Sequence, residues 1–331
     1  MDGAPHEPLY PLREDVWVTT ADSEASSASK PKRASLWLTG ARPRTLPLSV
    51  VPVAVGVGVA ANYVATDSAW YGHISWWRVA IAFVVGLALQ VGVNYANDYS
   101  DGIRGTDADR VGPLRLTASA AVPAKQVRHA AFICFGIAAA GGLGLAISIS
   151  YWLLLVGVAS IASAWFYTGG RSPYGYRGLG DIAVFVFFGL VAVMGTAYVA
   201  GDEPQVTWLA LWAGIPVGLL AVAVLVANNL RDLPKDALVD KRTSAVRLGD
   251  RRTRIMYALC VGVPIAIGAL LVAPICLPLL ALAALVAFFP IRTVLRGAKS
   301  QQLISVIAAT GGLQVVYGLA LLIGLSVRAP W

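Results

Sequence analysis

Charge is scarce in this chain. Only 13% of its 331 residues are Asp, Glu, Lys or Arg, against about 25% in an ordinary soluble domain. Hydrophobic residues make up 57%, and the mean hydropathy is +0.67. A surface so poor in charge does not suit water, so an integral membrane protein is expected. Cysteine is scarce too. Cys134, Cys260 and Cys276 each stand alone in an apolar run, which argues against a disulfide framework or C-x-x-C metal spacing and leaves buried packing as their expected role. His6, His73 and His129 are scattered singly, so neither a zinc centre nor a Ser-His-Asp triad is indicated. No Walker or GxGxxG pattern stands beside a plausible strand, which removes the common soluble phosphate-binding loops.

Long apolar runs are abundant instead. Nine are of a length that crosses a bilayer as a helix, over 45–65, 77–97, 127–148, 150–167, 180–200, 206–229, 254–272, 274–291 and 303–326. The third and fourth nearly touch, as do the seventh and eighth, where Pro274 and Pro278 mark the break. The expected fold is all-α, a bundle of nine transmembrane helices, with residues 36–331 as one polytopic domain. Residues 1–35 are polar and Ser-rich, carry six of the 18 acids and lack the apolar core of a signal peptide. They read as a disordered cytoplasmic tail.

The net charge of +8 does not point to nucleic acid, because the basic residues lie between apolar runs rather than in one stripe with aromatics. They report topology. With the N-terminus inside, 24 of the 26 lysines and arginines fall on the inner side, and only Arg78 and Arg328 fall outside. That asymmetry places the N-terminus in the cytoplasm and the C-terminus outside, and it favours an odd number of spans.

Beyond the tail 12 acids remain, and eight of them are aspartates in two loops: Asp98, Asp101, Asp107 and Asp109, then Asp232, Asp236, Asp240 and Asp250. Each cluster ends an apolar run, each begins with asparagines (Asn94 and Asn97; Asn228 and Asn229), and the two runs are four spans apart, so both emerge on the cytoplasmic side. Asp98 and Asp101 are i,i+3 neighbours, and Asp232, Asp236 and Asp240 step by four, so each set is expected to share a helix face. Pro234 disfavours helical geometry at Leu233, so a break that puts Asp232 and Asp236 on different segments is the alternative for the second set. Carboxylate and amide oxygens without thiolate or imidazole suit Mg²⁺, which takes one or two carboxylates and leaves other positions to water and phosphate. Any single aspartate reads as readily as a helix cap or a partner of a nearby Arg or Lys. Two matched clusters on one side of a membrane read better as a site, since polar groups at membrane depth are expensive.

Between the clusters, YTGGRSPYGYRGLGD (167–181) brings Tyr167, Arg171, Tyr174, Tyr176 and Arg177 to the same side. An arginine for phosphate and tyrosines for an aromatic substrate are one reading; an aromatic belt with inner-side arginines is an equal one. Lys241 and Arg242, beside Asp240, face the same choice.

These residues resemble the UbiA superfamily of intramembrane aromatic prenyltransferases from about Arg42 to the last span. NDYSD (97–101) is similar to the family's first Asp-rich motif, Asp232 to Asp236 to the second, and Tyr167 to Arg171 to the intervening YxxxK/R element. Within the superfamily, ARPRTLPLSVVPV, NDYSDGIRGTDADRVGPLRLT and NNLRDLPKDALVDKRTSAVRLG look like the branch that prenylates 1,4-dihydroxy-2-naphthoate, with Asp181 where that branch often has Glu. The resemblance implies a bundle around a central cavity, Mg²⁺ dependence and a place in menaquinone biosynthesis in a bacterial cell membrane. It implies polyprenyl diphosphate and 1,4-dihydroxy-2-naphthoate as substrates. On it, Asp98, Asp101, Asp232, Asp236, Arg171 and Tyr167 are expected to be catalytic, with Asn97 and Asp240 joining the four aspartates around the metal. Asn94, Asn97, Arg104, Arg171 and Asn229 with Lys241 and Arg242 are expected to bind diphosphate or acceptor, and Tyr174, Tyr176 and Arg177 to face the acceptor. The alternatives are another acceptor (4-hydroxybenzoate, homogentisate, haem or a phosphosugar) or a transporter. Clusters at span ends rather than mid-span argue against transport.

Overall fold

The computed structural model describes residues 33–64, 70–106 and 112–327. Asp107, Asp109 and nearly all of the expected tail lie outside the described residues; positions 33–35 belong to a helix. Ten helices follow in order: α1 (Arg33–Ala41), α2 (Pro47–Val64), α3 (Trp76–Ile103), α4 (Ala124–Ser148) and α5 (Trp152–Phe166); then α6 (Gly180–Ala200), α7 (Trp208–Leu238), α8 (Ser244–Leu271), α9 (Leu277–Leu295) and α10 (Gln301–Ser326). Every expected apolar run is helical. Seven helices are long and apolar enough to cross a membrane, or eight if α1 and α2, bent by 51° at their junction, count as one broken span. The expected count of nine is thus met only in part. The shortfall is α5, whose 15 residues reach about 22 Å at 1.5 Å per residue against a hydrocarbon core of about 30 Å.

α7 is the hub of the bundle. Of its apolar window 72% is buried, against 28% for α3, α4 and α6, so the latter turn most of their apolar surface outward. Leu270, Ile275, Leu285 and Phe288 are all more than half exposed, a surface that is stable in lipid rather than water. Small residues let α6 and α7 meet. A Cβ added to Gly189 would stand 2.5 Å from the Gly218 Cα, so only glycine permits this approach. Gly189 lies in a π-helical stretch, Phe185–Val191, and that widened turn brings the two backbones together.

Pro234 does not break α7. The helix continues through Pro216 and Pro234 to Leu238, and Asp232 and Asp236 share it. The missing N–H costs one bond, and packing of the buried Leu230, Arg231 and Asp236 around it holds the turn. Asp240 lies past the helix end with a left-handed φ of 53°, so the four-residue step stops at Asp236.

Among the cysteines, Cys260 and Cys276 are buried as expected, whereas Cys134 is only half-buried.

Candidate active site

The end of α3, the loop between α5 and α6, and the end of α7 meet at one pole of the bundle. Asp98 and Asp101 are almost fully buried there. Both Asp98 oxygens accept backbone N–H groups, from Leu116 at 2.9 Å and Thr117 at 2.8 Å. Asp98 therefore fastens the segment after α3, and its carboxylate is already committed. Asp101 accepts the Tyr176 hydroxyl at 2.7 Å, and its other oxygen lies 3.9 Å from the Lys241 ammonium. Asp236, one turn beyond Asp232 on α7, lies 3.8 Å from the same nitrogen. Asp232 receives both Arg231 guanidinium donors at 2.8 Å.

The middle loop is anchored to the first cluster. Asn97 accepts the Thr168 hydroxyl at 2.8 Å, and Arg104 donates to the carbonyls of Thr168 and Gly170, so Arg104 shapes the turn rather than reaching outward. Tyr176 lies under two cations, with Lys241 and Arg104 at 5.1 and 5.6 Å from its ring centre. Burial, and after it the Asp101 carboxylate, push the Tyr176 phenol above its ordinary value, so it stays a donor. Tyr174 packs edge-on against Tyr167 at 5.6 Å and donates to the Ser163 carbonyl at 2.8 Å. Gly175 must be glycine, since a Cβ there would stand 2.6 Å from the Tyr167 carbonyl oxygen. The Tyr167 phenol, just past the end of α5, is pushed up by burial first and then by Asp181, Tyr174, Asp101 and Asp236.

Several expected site residues stand apart. Asp240 is exposed and paired with Arg242 at 2.8 Å. Arg177 is exposed and donates to the Ser172 hydroxyl. Arg171 is exposed at the rim. Asn229 is half-buried on α7.

A cavity of about 400 Å³ runs into the bundle from this pole. Asn94, Asn97, Tyr167 and Tyr174 line it, but Asp101, Asp236 and Arg177 do not; the carboxylates stand beyond Tyr167, at its polar end. The wall also includes Arg42, Thr45, Gln90 and Asn228, which sequence reasoning left without a role. A signal for one existed: Gln90, Asn94 and Asp98 step by four along α3.

Among the described residues no three acidic side chains converge to cage a metal unaided. Two do converge, one from each cluster, on a point now held by the Lys241 ammonium. Mg²⁺ needs no more than one or two carboxylates when phosphates and water complete its shell. The donor set fits that ion.

The chain is similar to known proteins. The model of the UbiA prenyltransferase family matches residues 50–307. A 1,4-dihydroxy-2-naphthoate octaprenyltransferase of Mycobacterium tuberculosis is 47% identical over 288 residues, covering 86% of this chain and 94% of that one. Among solved structures, a UbiA homologue from Aeropyrum pernix K1 in its apo form superposes with a TM-score of 0.63 at 18% identity, covering 83% of this chain and 96% of that one. One from Archaeoglobus fulgidus bound to DMAPP and Mg²⁺ gives 0.59 at 15% identity, covering 88% and 99%. The family match spans both aspartate clusters and most of the helices that carry them: the chain belongs to the UbiA prenyltransferase family.

Proposed function

We propose that this protein transfers a polyprenyl group from polyprenyl diphosphate to 1,4-dihydroxy-2-naphthoate with loss of CO₂, giving diphosphate and demethylmenaquinone in its reduced, hydroquinone form, a step of menaquinone biosynthesis. The observation that carries the reading is the convergence of Asp101 and Asp236 at the polar end of a deep, mainly apolar cavity. The near full-length relative named for that activity supports the acceptor.

Asp101 and Asp236, with Asp232 one turn away, would hold Mg²⁺, as the Archaeoglobus homologue holds it with a prenyl diphosphate. Mg²⁺ when bound would neutralise charge on the departing diphosphate. Lys241 supplies an ammonium to the same oxygens, and Arg171 and Arg242 stand at the rim to meet phosphate. Asn97 and Arg104 hold the turn after α5, Asn229 stands on α7 three residues before Asp232, and Tyr176 fixes Asp101. As the allylic C–O bond breaks, the cavity keeps water from the cation. The ring carbon bearing the carboxylate attacks it, a C–C bond forms, and CO₂ leaves its electron pair to the ring.

The bundle also supports nine crossings. α4 follows the segment that Asp98 fastens at the aspartate pole and runs away from it. α5 must return, because Thr168, just past its end, reaches Asn97. On this reading α5 is the ninth crossing despite its length. With the lysine and arginine asymmetry, this reading places the aspartate pole in the cytoplasm and the C-terminus outside.

The test is an acceptor competition on purified protein. Given equal dihydroxynaphthoate, 4-hydroxybenzoate and homogentisate with one labelled long-chain prenyl diphosphate, the enzyme should prenylate the first and release CO₂. Preference for a benzenoid acceptor would keep the family and refute this substrate. For topology, Asp240→Cys in a cysteine-free background should resist an impermeant thiol reagent added outside intact cells; labelling would overturn the orientation.

A further inference from the structure

The wall of the cavity formed by α2 and α3 carries an amide whose geometry is fixed but whose oxygen has no partner. Thr45 donates its single hydroxyl proton to the Arg42 carbonyl at 2.9 Å. Its oxygen receives N–H donors from Gln90 at 2.9 Å and Asn94 at 3.2 Å. A hydroxyl has one proton and two lone pairs, so Thr45 is saturated, and both amides must turn their nitrogens toward it. Gln90 thus cannot rotate its amide to suit another neighbour. Its Oε1 is left pointing away from Thr45, buried and without a hydrogen-bond partner among the described residues. The residue is 3% exposed and lines the cavity.

A buried acceptor of this kind favours a ligand that brings a donor. Gln90 lies two turns from Asp98 on the same helix, about 12 Å along its axis, so it is too deep to meet a diphosphate held at the aspartate pole. A polyprenyl chain has no O–H or N–H group. It is better matched to the part of the wall on α4 and α5, where Ala138, Leu143, Leu153 and Leu154 present only hydrocarbon. The hydroxylated ring is the one substrate component with a donor to give.

We infer that Gln90 is an acceptor-specificity residue: its Oε1 receives a ring hydroxyl of the hydroxynaphthoate and, with Thr45 as its rigid support, seats the ring against the α2–α3 wall while the prenyl chain lies along the apolar residues of α4 and α5. This assignment rests on the proposed acceptor and deepens it. Gln90 acts on binding and orientation and takes no proton.

The experiment measures competitive binding of 1,4-dihydroxy-2-naphthoate and of its two mono-deoxy analogues to the full-length protein in detergent, for the wild type, Gln90→Leu and Gln90→Glu. KM for both substrates is measured alongside. In the wild type, loss of one particular hydroxyl should weaken binding about tenfold, the worth of one buried hydrogen bond. In Gln90→Leu the parent should bind no better than that analogue, KM for the acceptor should rise by a similar factor, and KM for the prenyl diphosphate should stay within about twofold. Gln90→Glu, which keeps an acceptor oxygen, should retain the hydroxyl preference. Should Gln90→Leu fail to fold, Gln90→Met, of similar length, is read in its place. An undiminished hydroxyl preference in the Leu or Met variant overturns the assignment. If the wild type binds prenyl diphosphate but no hydroxynaphthoate, the failure belongs to the proposed acceptor instead.

Discussion

The aspartates that end α3 and those that end α7 look interchangeable in sequence, yet they are held by different kinds of contact. The first pair is fixed mainly by neutral donors: two backbone amides on Asp98 and a tyrosine hydroxyl on Asp101. The second is fixed by cations, Arg231 on Asp232 and Lys241 on Asp236. A carboxylate that accepts a backbone N–H on each oxygen fastens the chain, because moving it would orphan those amides. A carboxylate facing a lysine at nearly 4 Å is held loosely enough to exchange that partner for a metal-bound diphosphate. We infer that the division between scaffold and chemistry runs through the first cluster, with Asp98 on one side and Asp101, joined by Asp236 from the second cluster, on the other.

The largest effect should come from breaking the convergent pair. Asp101→Asn or Asp236→Asn is expected to cut prenyl transfer on the order of a thousandfold, comparable to losing a principal electrostatic stabiliser. The thermal midpoint in detergent should change little, and EDTA should reproduce the loss in the wild type. Wild-type turnover by either variant would remove it from the site.

Asp98→Asn sharpens the contrast. An amide presents only one oxygen to the two N–H donors of Leu116 and Thr117, so the variant should lose about 2 kcal/mol of stability and unfold at a lower temperature. If it keeps its midpoint and loses only catalysis, Asp98 belongs with Asp101 instead.

Tyr176→Phe removes one hydrogen bond from Asp101 and should lower kcat about tenfold. Its pH behaviour is also specific. The phenol is raised above its ordinary value of 10.0 by burial and by Asp101, so the contact is fully present below about pH 10. Its contribution to stability declines only as the pH rises from there toward the folded-state value, because the unfolded tyrosine ionises first. Stability should be flat in this respect from pH 7 to 9, and a tyrosine-dependent loss within that range would contradict the buried contact.

The smallest effects belong to residues outside the convergence. Asp240→Asn and Arg177→Leu alter exposed side chains paired locally with Arg242 and Ser172, and each should leave kcat and both KM values within about twofold. A selective rise in acceptor KM for Arg177→Leu would show that Arg177 turns inward when the acceptor binds.

By itself the sequence determined the apolar segments, their order and the pairing of two aspartate clusters with a tyrosine-rich loop. Those features are local: hydropathy over some twenty residues decides what lies in lipid, and spacings of three and four decide what shares a helix face. It also marked Pro234 as a break, which the packed surroundings of α7 overrode. Only the tertiary structure decided which carboxylates remain available, because the deciding partners are remote. Asp98 is taken up by a backbone 18 residues away, Asp101 is oriented by a tyrosine 75 residues away, and Gln90 is oriented by a threonine 45 residues earlier. A hydrogen bond depends on where a donor stands in space, and spacing along the chain does not fix that across a bundle of helices.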